Sequence, residues 1–166
     1  MILYRKVLFI FFALLLITSC ATKEYEKQES VFIVFKTPSL KYADLGFMYK
    51  NSDEIKVEIY GSGKALMTLE ISSENVCMSS LACMRKKRFN SEVLNEVYPD
   101  TIIDNIFRGK PIFNAKGLIR NRNGFTQNIV DAYKYNIRYS VFNKEIIFHD
   151  TINDISIKVK RINYLY

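Results

Sequence analysis

The sequence predicts an α+β domain made mostly of antiparallel β-structure. Three observations lead there. Apolar and polar residues alternate over short stretches bounded by turn-forming clusters, the period of a half-buried strand. One internal stretch switches to helical spacing. Alternation then resumes. Strands on both sides of a helical insert read as one domain of β-meander, helices and β-meander.

Before the first strand lies a segment of another kind. Arg5 and Lys6 precede an unbroken apolar run from Val7 to Ile17, closed by Thr18, Ser19 and Cys20. A basic start, a short apolar region and small residues form a secretory signal peptide. The run is short of the roughly 20 apolar residues that span a bilayer. Its ending, Ile17-Thr18-Ser19-Cys20, resembles a bacterial lipobox, in which the cysteine is acylated and the chain is cut before it; the alternative is an ordinary signal peptide with a chance cysteine. Residues 1–19 are then a signal peptide and Cys20 the lipid-attachment residue. Residues 20–30, polar and without a hydrophobic period, read as a tether, and 31–166 as a single domain. Ala21, rather than an aspartate, follows the cysteine, which favours the outer membrane over the inner.

Val31 to Lys36 is β-branched and aromatic, and Pro38-Ser39 ends it. Tyr42 to Lys50 is a second apolar segment, followed by the turn cluster Asn51-Ser52-Asp53. Ile55, Val57 and Ile59 alternate with Lys56 and Glu58; after Gly61-Ser62-Gly63, Met67, Leu69 and Ile71 share one face of a fourth strand. Val93, Leu94 and Val97, then Ile102, Ile103, Ile106 and Phe107, take helical spacing. Pro99 lies between them, and Arg108, Gly109 and Pro111 form a stop signal. These are two short helices, or one broken at Pro99. Phe125 to Val130, Tyr135 to Val141, Glu145 to His149 and the alternating Ile155, Ile157 and Val159 are the later strands.

Without residues 1–19 the formal charge falls from +7 to +5, because Arg5 and Lys6 leave. An exported, anchored protein does not meet nucleic acid, and a modest basic excess suits solubility or an anionic surface. Cys77 and Cys83 enter an oxidising compartment, where a disulfide is favoured over free thiols. Two thiols and one distant His149 do not make a zinc site. Neither a phosphate-binding glycine loop nor a nucleophile elbow is present, and no carboxylates are paired for acid–base work. A non-enzymatic protein without metal or cofactor is the expectation. The run Arg85-Lys86-Lys87-Arg88 reads as a solvated loop or as a contact for membrane phosphates. Aromatic residues on the strands serve as core or as walls of an apolar cavity.

From residue 55 onward the layout resembles the LolB family of outer-membrane lipoprotein receptors, themselves lipoproteins. Gly61-Ser62-Gly63 and the stretch Ala65 to Glu70 resemble the family's protruding loop and the strand after it. Val93-Leu94 through Asn105 to Pro111 resemble its paired helices. Gln127 and the stretch Tyr133 to Tyr139 resemble its Gln-bearing hairpin, and Ile155 to Ile162 its closing strand. The resemblance implies an incomplete, half-open β-barrel with two short helices covering the open side. It further implies an apolar cavity for acyl chains of client lipoproteins, delivery by a LolA-like periplasmic carrier, and no cofactor. Such a protein is a monomer on the outer membrane facing the periplasm, held in membrane lipid by its acylated cysteine. The candidate cavity-lining residues are Phe35, Phe47, Val57, Ile59, Met67, Leu69, Ile106 and Phe107. The candidate membrane-facing loop is Tyr60, Gly61, Ser62, Gly63 and Leu66. The family's loop-tip leucine is matched here by Ser62, so the apolar role at the membrane falls to Tyr60 or Leu66. The family's tryptophans have no counterpart in this sequence.

Overall fold

The computed structural model describes residues 25–79 and 82–162; the expected signal peptide, Cys20 and the first part of the tether lie outside them. Eleven strands form one antiparallel sheet. In chain order they are β1 (Lys27–Lys36), β2 (Lys41–Lys50), β3 (Ile55–Gly61), β4 (Lys64–Ile71), β5 (Asn75–Met78), β6 (Ala82–Arg85), β7 (Leu118–Asn121), β8 (Gly124–Asp131), β9 (Tyr135–Phe142), β10 (Glu145–Asp150) and β11 (Ile155–Arg161). Two helices, α1 (Lys86–Val93) and α2 (Ile102–Arg108), lie between β6 and β7 in sequence.

The spatial order is β6-β5-β4-β3-β2-β1-β11-β10-β9-β8-β7. Each meander adds strands outward from the centre, and the first and last strands join them, from Val31 opposite Arg161 to Lys36 opposite Ser156. β6 and β7 are the two edges and do not pair with each other, so the sheet is not closed.

Alternation sets which face is buried. In β1, Val31, Ile33 and Phe35 are buried, as are Ile55, Val57 and Ile59 in β3 and Ile155, Ile157 and Val159 in β11. Their neighbours in sequence stand on the other, partly wet face, as expected of an antiparallel sheet with one face in the core. Turn chemistry fixes the register. The Asn51 side chain accepts from the backbone N–H groups of Asp53 and Glu54, closing the β2–β3 turn. Ser62 (φ 51°) and Gly63 (φ 77°) turn β3 into β4, as a two-residue hairpin loop with both central residues at positive φ requires. At Gly46 a Cβ would lie 2.0 Å from the Glu58 carbonyl oxygen, so glycine permits the close approach of β2 to β3.

Several details depart from the sequence reading. β1 starts at Lys27, so the last residues of the expected tether pair with the end of β2. β5, β6 and β7 are additional strands of four residues each. There are two separate helices, and the first begins at Lys86, which makes Lys86, Lys87 and Arg88 helical rather than loop. Its inward positions are Lys86, Phe89, Asn90 and Val93; two polar members of that set hide the helical period. α2 buries Ile102, Ile103, Ile106 and Phe107, the set expected from spacing. It ends at Gly109, whose φ of 66° suits the position after a helix.

Candidate functional site

The residues from α1 to the start of β7 pack on the buried face of the sheet. Phe89, Val93, Tyr98, Ile102, Ile103, Ile106, Phe107 and Ile112 of this cover share one core with the inward residues of the strands. All but Val93 and Tyr98 are fully buried. The cover meets the sheet through apolar side chains at its centre and polar clasps at its margins.

At one margin the end of α2 meets the end of β2. Lys50 points to the inner face, and its Nζ donates to the Phe107 carbonyl at 2.6 Å. Arg108 Nη1 donates to the Asn51 carbonyl at 2.9 Å while its Nε pairs with Asp104 at 3.0 Å. Burial draws the Lys50 ammonium down to about 8, against the opposing pull of the Glu29 carboxylate. Glu29 in turn pairs with Arg161 at 2.7 Å and Lys27 at 3.1 Å.

At the opposite margin Tyr98 donates its hydroxyl to the buried Asp150 carboxylate. Asp150 also accepts from the Asn153 side chain at 2.7 Å and from the backbone N–H groups of Asn136 and Ile152. Burial alone would push the carboxyl up, but these donors outweigh it and hold it below the usual carboxylate range. Burial and the Asp150 charge both push the Tyr98 hydroxyl up.

Gln127 on β8 forms the third clasp. It is fully buried. Its Oε1 accepts from the Ile112 N–H at 2.8 Å, and its Nε2 donates to the carbonyls of Ile112 (2.9 Å) and Lys116 (2.8 Å). Between those residues Phe113, Asn114 and Ala115 all take positive φ (46°, 51° and 62°), a left-handed turn that L-residues adopt at a cost of roughly 1–2 kcal/mol each. Gln127 thus pins a strained turn at the exit of the cover. The sequence singled out Gln127 only through the resemblance, which did not say what it holds.

Of the residues expected to line a cavity, Phe35, Val57, Ile59, Met67 and Leu69 lie on the covered face of the sheet and Ile106 and Phe107 on the cover that faces it, each 2% exposed or less. All seven belong to one packed core. Phe47 does not belong with them. Its β2 neighbours Gly46 and Met48 point inward, so Phe47 stands on the outer face among Tyr49 and Tyr60. Two surface hollows, of about 580 and 450 Å³, lie beside α1 and have none of these residues in their walls. A smaller one, about 160 Å³, has Leu45, Phe47 and Tyr60 in its wall.

The expected membrane-facing loop is the β3–β4 hairpin. Ser62 and Gly63 are exposed at its tip. Leu66 is 52% exposed beside it, and Leu45 on β2 is 51% exposed. Tyr60 is half-buried and donates to Glu58 at 3.1 Å, which leaves Leu66 as the free apolar side chain of the loop. Cys77 and Cys83 face each other across β5 and β6 and are joined, with an S–S distance of 2.00 Å. His149 is exposed on β10, opposite Ser156. Among the described residues no group of three His, Cys, Asp or Glu side chains is placed to hold a metal ion, and no helix is long and apolar enough to cross a membrane.

No protein-family model matches the sequence, and no curated protein is significantly similar to it.

Proposed function

We propose that the protein is a non-enzymatic, lipid-anchored envelope protein of LolB type. It takes acyl chains of client lipoproteins between the cover and the sheet and passes them to the outer membrane. One observation carries the reading: an unclosed sheet turns its whole apolar face toward a single short helical segment, which is held at its margins by three polar clasps. Sheets of about ten or more twisted strands curl, and a half-open barrel with helices across its open side is the form the resemblance implies.

In the conformation described, the cover occupies the space that acyl chains would take. Binding therefore requires the cover to lift. Its eight buried apolar side chains account for about 12–24 kcal/mol of burial. An acyl chain of roughly 16 carbons carries about 13 kcal/mol at ~0.8 kcal/mol per buried methylene. One or two chains therefore replace what the displaced cover gives up, so exchange between cover and client is close to balanced. The carrier, the clients, the anchor at Cys20 and the outer-membrane address all rest on the resemblance and the signal-like start.

A second reading is favoured by the filled core itself: a lipid-anchored interaction module that binds partners on its surface and holds no lipid inside. Depletion of the protein in cells separates the two. The transport reading expects other lipoproteins to accumulate away from the outer membrane. Unchanged lipoprotein localisation after depletion contradicts it and leaves the interaction module.

A further inference from the structure

The basic run at the β6–α1 junction plays no part in clasping the cover. α1 starts there without a side-chain cap and without an acidic residue in its first turn. Basic residues occupy the end of a helix where the dipole favours anions. The Lys86 N–H is satisfied by the Glu74 carbonyl at 3.0 Å, while the next N–H groups of the turn have no intrahelical acceptor.

Lys86 is the second observation. Its residue is only 8% exposed, and among the described residues its ammonium has no hydrogen-bond or ion-pair partner. Its stem is buried while the ammonium itself is not sealed from solvent, and Asp104 and Asp100 act on it as the nearby carboxylates. Lys86 forms part of the wall of the 450 Å³ hollow, together with Ser73, Glu74, Arg85, Lys87 and Asp100. Three cations against two carboxylates leave this hollow with one net positive charge. That balance suits a singly charged anion and disfavours a polyanion. The Ser73 hydroxyl adds a neutral donor.

We propose that this hollow is a phosphodiester-binding site, in which Lys86, Arg85, Lys87 and the free N–H groups of the first turn of α1 hold the anionic oxygens. A phosphodiester carries a single charge, and oriented helix N–H groups are a common complement to phosphate oxygens. Glu74 and Asp100, in the same wall, supply the charge complement to a cationic substituent on the diester, as in a phosphoethanolamine group. The site does not use the covered face, so it stands whether or not that face takes acyl chains.

The test uses the full chain, in a non-ionic detergent for the soluble probe and freed of detergent for the vesicles. Glycerophosphoethanolamine is titrated calorimetrically as the soluble probe. In a second arm, retention on vesicles of phosphatidylethanolamine and phosphatidylglycerol is compared with retention on digalactosyldiacylglycerol vesicles, which carry no phosphodiester. Each arm is run with the wild type, Lys86→Gln, the exposed-site variant Lys87→Gln and, as a control outside the hollow, Arg88→Gln. Loss of one charge-assisted contact is expected to weaken binding about tenfold in Lys86→Gln, with a smaller loss in Lys87→Gln and none in Arg88→Gln. Lys87→Gln decides the matter if Lys86→Gln folds poorly. A loss seen with the soluble probe assigns the site to free phosphodiesters. A loss confined to vesicles assigns it to a lipid headgroup. Equal binding by the wild type, Lys86→Gln and Lys87→Gln in both arms overturns the proposal.

Discussion

Replacing Gln127 by leucine removes the clasp at the exit of the cover while nearly keeping its volume. Gln127 is fully buried and makes three hydrogen bonds, two of them to the backbone of the fully buried Ile112. Leucine leaves the Ile112 N–H without a partner, at a cost of about 1–3 kcal/mol for an orphaned buried group, while the Ile112 C=O keeps the bond it accepts from the Ala115 N–H. The left-handed turn at Phe113, Asn114 and Ala115 then loses the bonds that hold it on both sides. A net loss of about 2 kcal/mol is expected, since the turn regains some stability as it relaxes. Urea unfolding followed by circular dichroism measures it. With a slope of about 1.5 kcal/mol/M, the midpoint should fall by about 1.3 M. Hydrogen exchange should rise more at residues 86–117 than in β1 or β11, because the clasp acts on the cover. A midpoint shift under about 0.5 M, or faster exchange spread evenly over the sheet, would refute the reasoning.

Tyr98→Phe removes a donor from the buried Asp150 carboxylate. A hydrogen bond to a charged group contributes about 1.5–3 kcal/mol, and the melting temperature should fall accordingly. Asp150 lies below its ordinary range, so its stabilisation is present above the unfolded carboxyl range and lost as pH falls through the folded one. The acid-unfolding midpoint of Tyr98→Phe should therefore move to higher pH. A ¹⁵N-detected titration of the Lys50 ammonium should give a midpoint near 8. Between pH 8 and about 10 the unfolded chain keeps the Lys50 proton that the folded chain has lost, so this residue makes stability rise with pH in that window. Above about pH 10 the buried Tyr98 and Tyr139, both pushed up, reverse the trend; a lysine midpoint above 10 would show that Lys50 is not buried against the cover. Gly46→Ala places a Cβ 2.0 Å from the Glu58 carbonyl and should destabilise by more than about 2 kcal/mol through loss of β2–β3 pairing, read by thermal melting. Reduction of Cys77–Cys83, six residues apart, should lower stability by about 2 kcal/mol, measured by urea unfolding with and without reductant.

The strands that carry most of the core were legible because their inward positions are apolar and their outward ones polar. Ile55, Val57 and Ile59 against Lys56 and Glu58 show this directly. β7 was not legible: Leu118 is its one partly buried apolar anchor, and Ile119 is exposed on the outer face. In β5, Val76 alone is fully buried, too little for a period. α1 was misplaced because Lys86 and Asn90 hold half of its inward positions. The face of β2 was misread at Phe47 because that strand is apolar on both sides, and the steric demand at Gly46 decides its orientation only once β3 is beside it. The clasps were hidden for the same reason: Lys50, Asp150 and Tyr98 are ordinary residues in sequence and meet their partners only across the fold. The inward faces of these elements, by contrast, could be read ahead of the structure: Phe35, Val57, Ile59, Met67 and Leu69 on the sheet and Ile106 and Phe107 on α2 are all buried, though as packed core and not as the wall of a cavity.

Whether the covered face accepts an acyl chain is measured most directly with a photoactivatable diacylglyceride, crosslinked to the full chain and mapped by peptide mass spectrometry. Label on Val57, Ile59, Leu69, Ile106 or Phe107, competed by unlabelled lipid and increased in Gln127→Leu, is the expected result. Label confined to the outer-face residues Phe47, Tyr49 and Leu66, with none on the covered face in either protein, would contradict it.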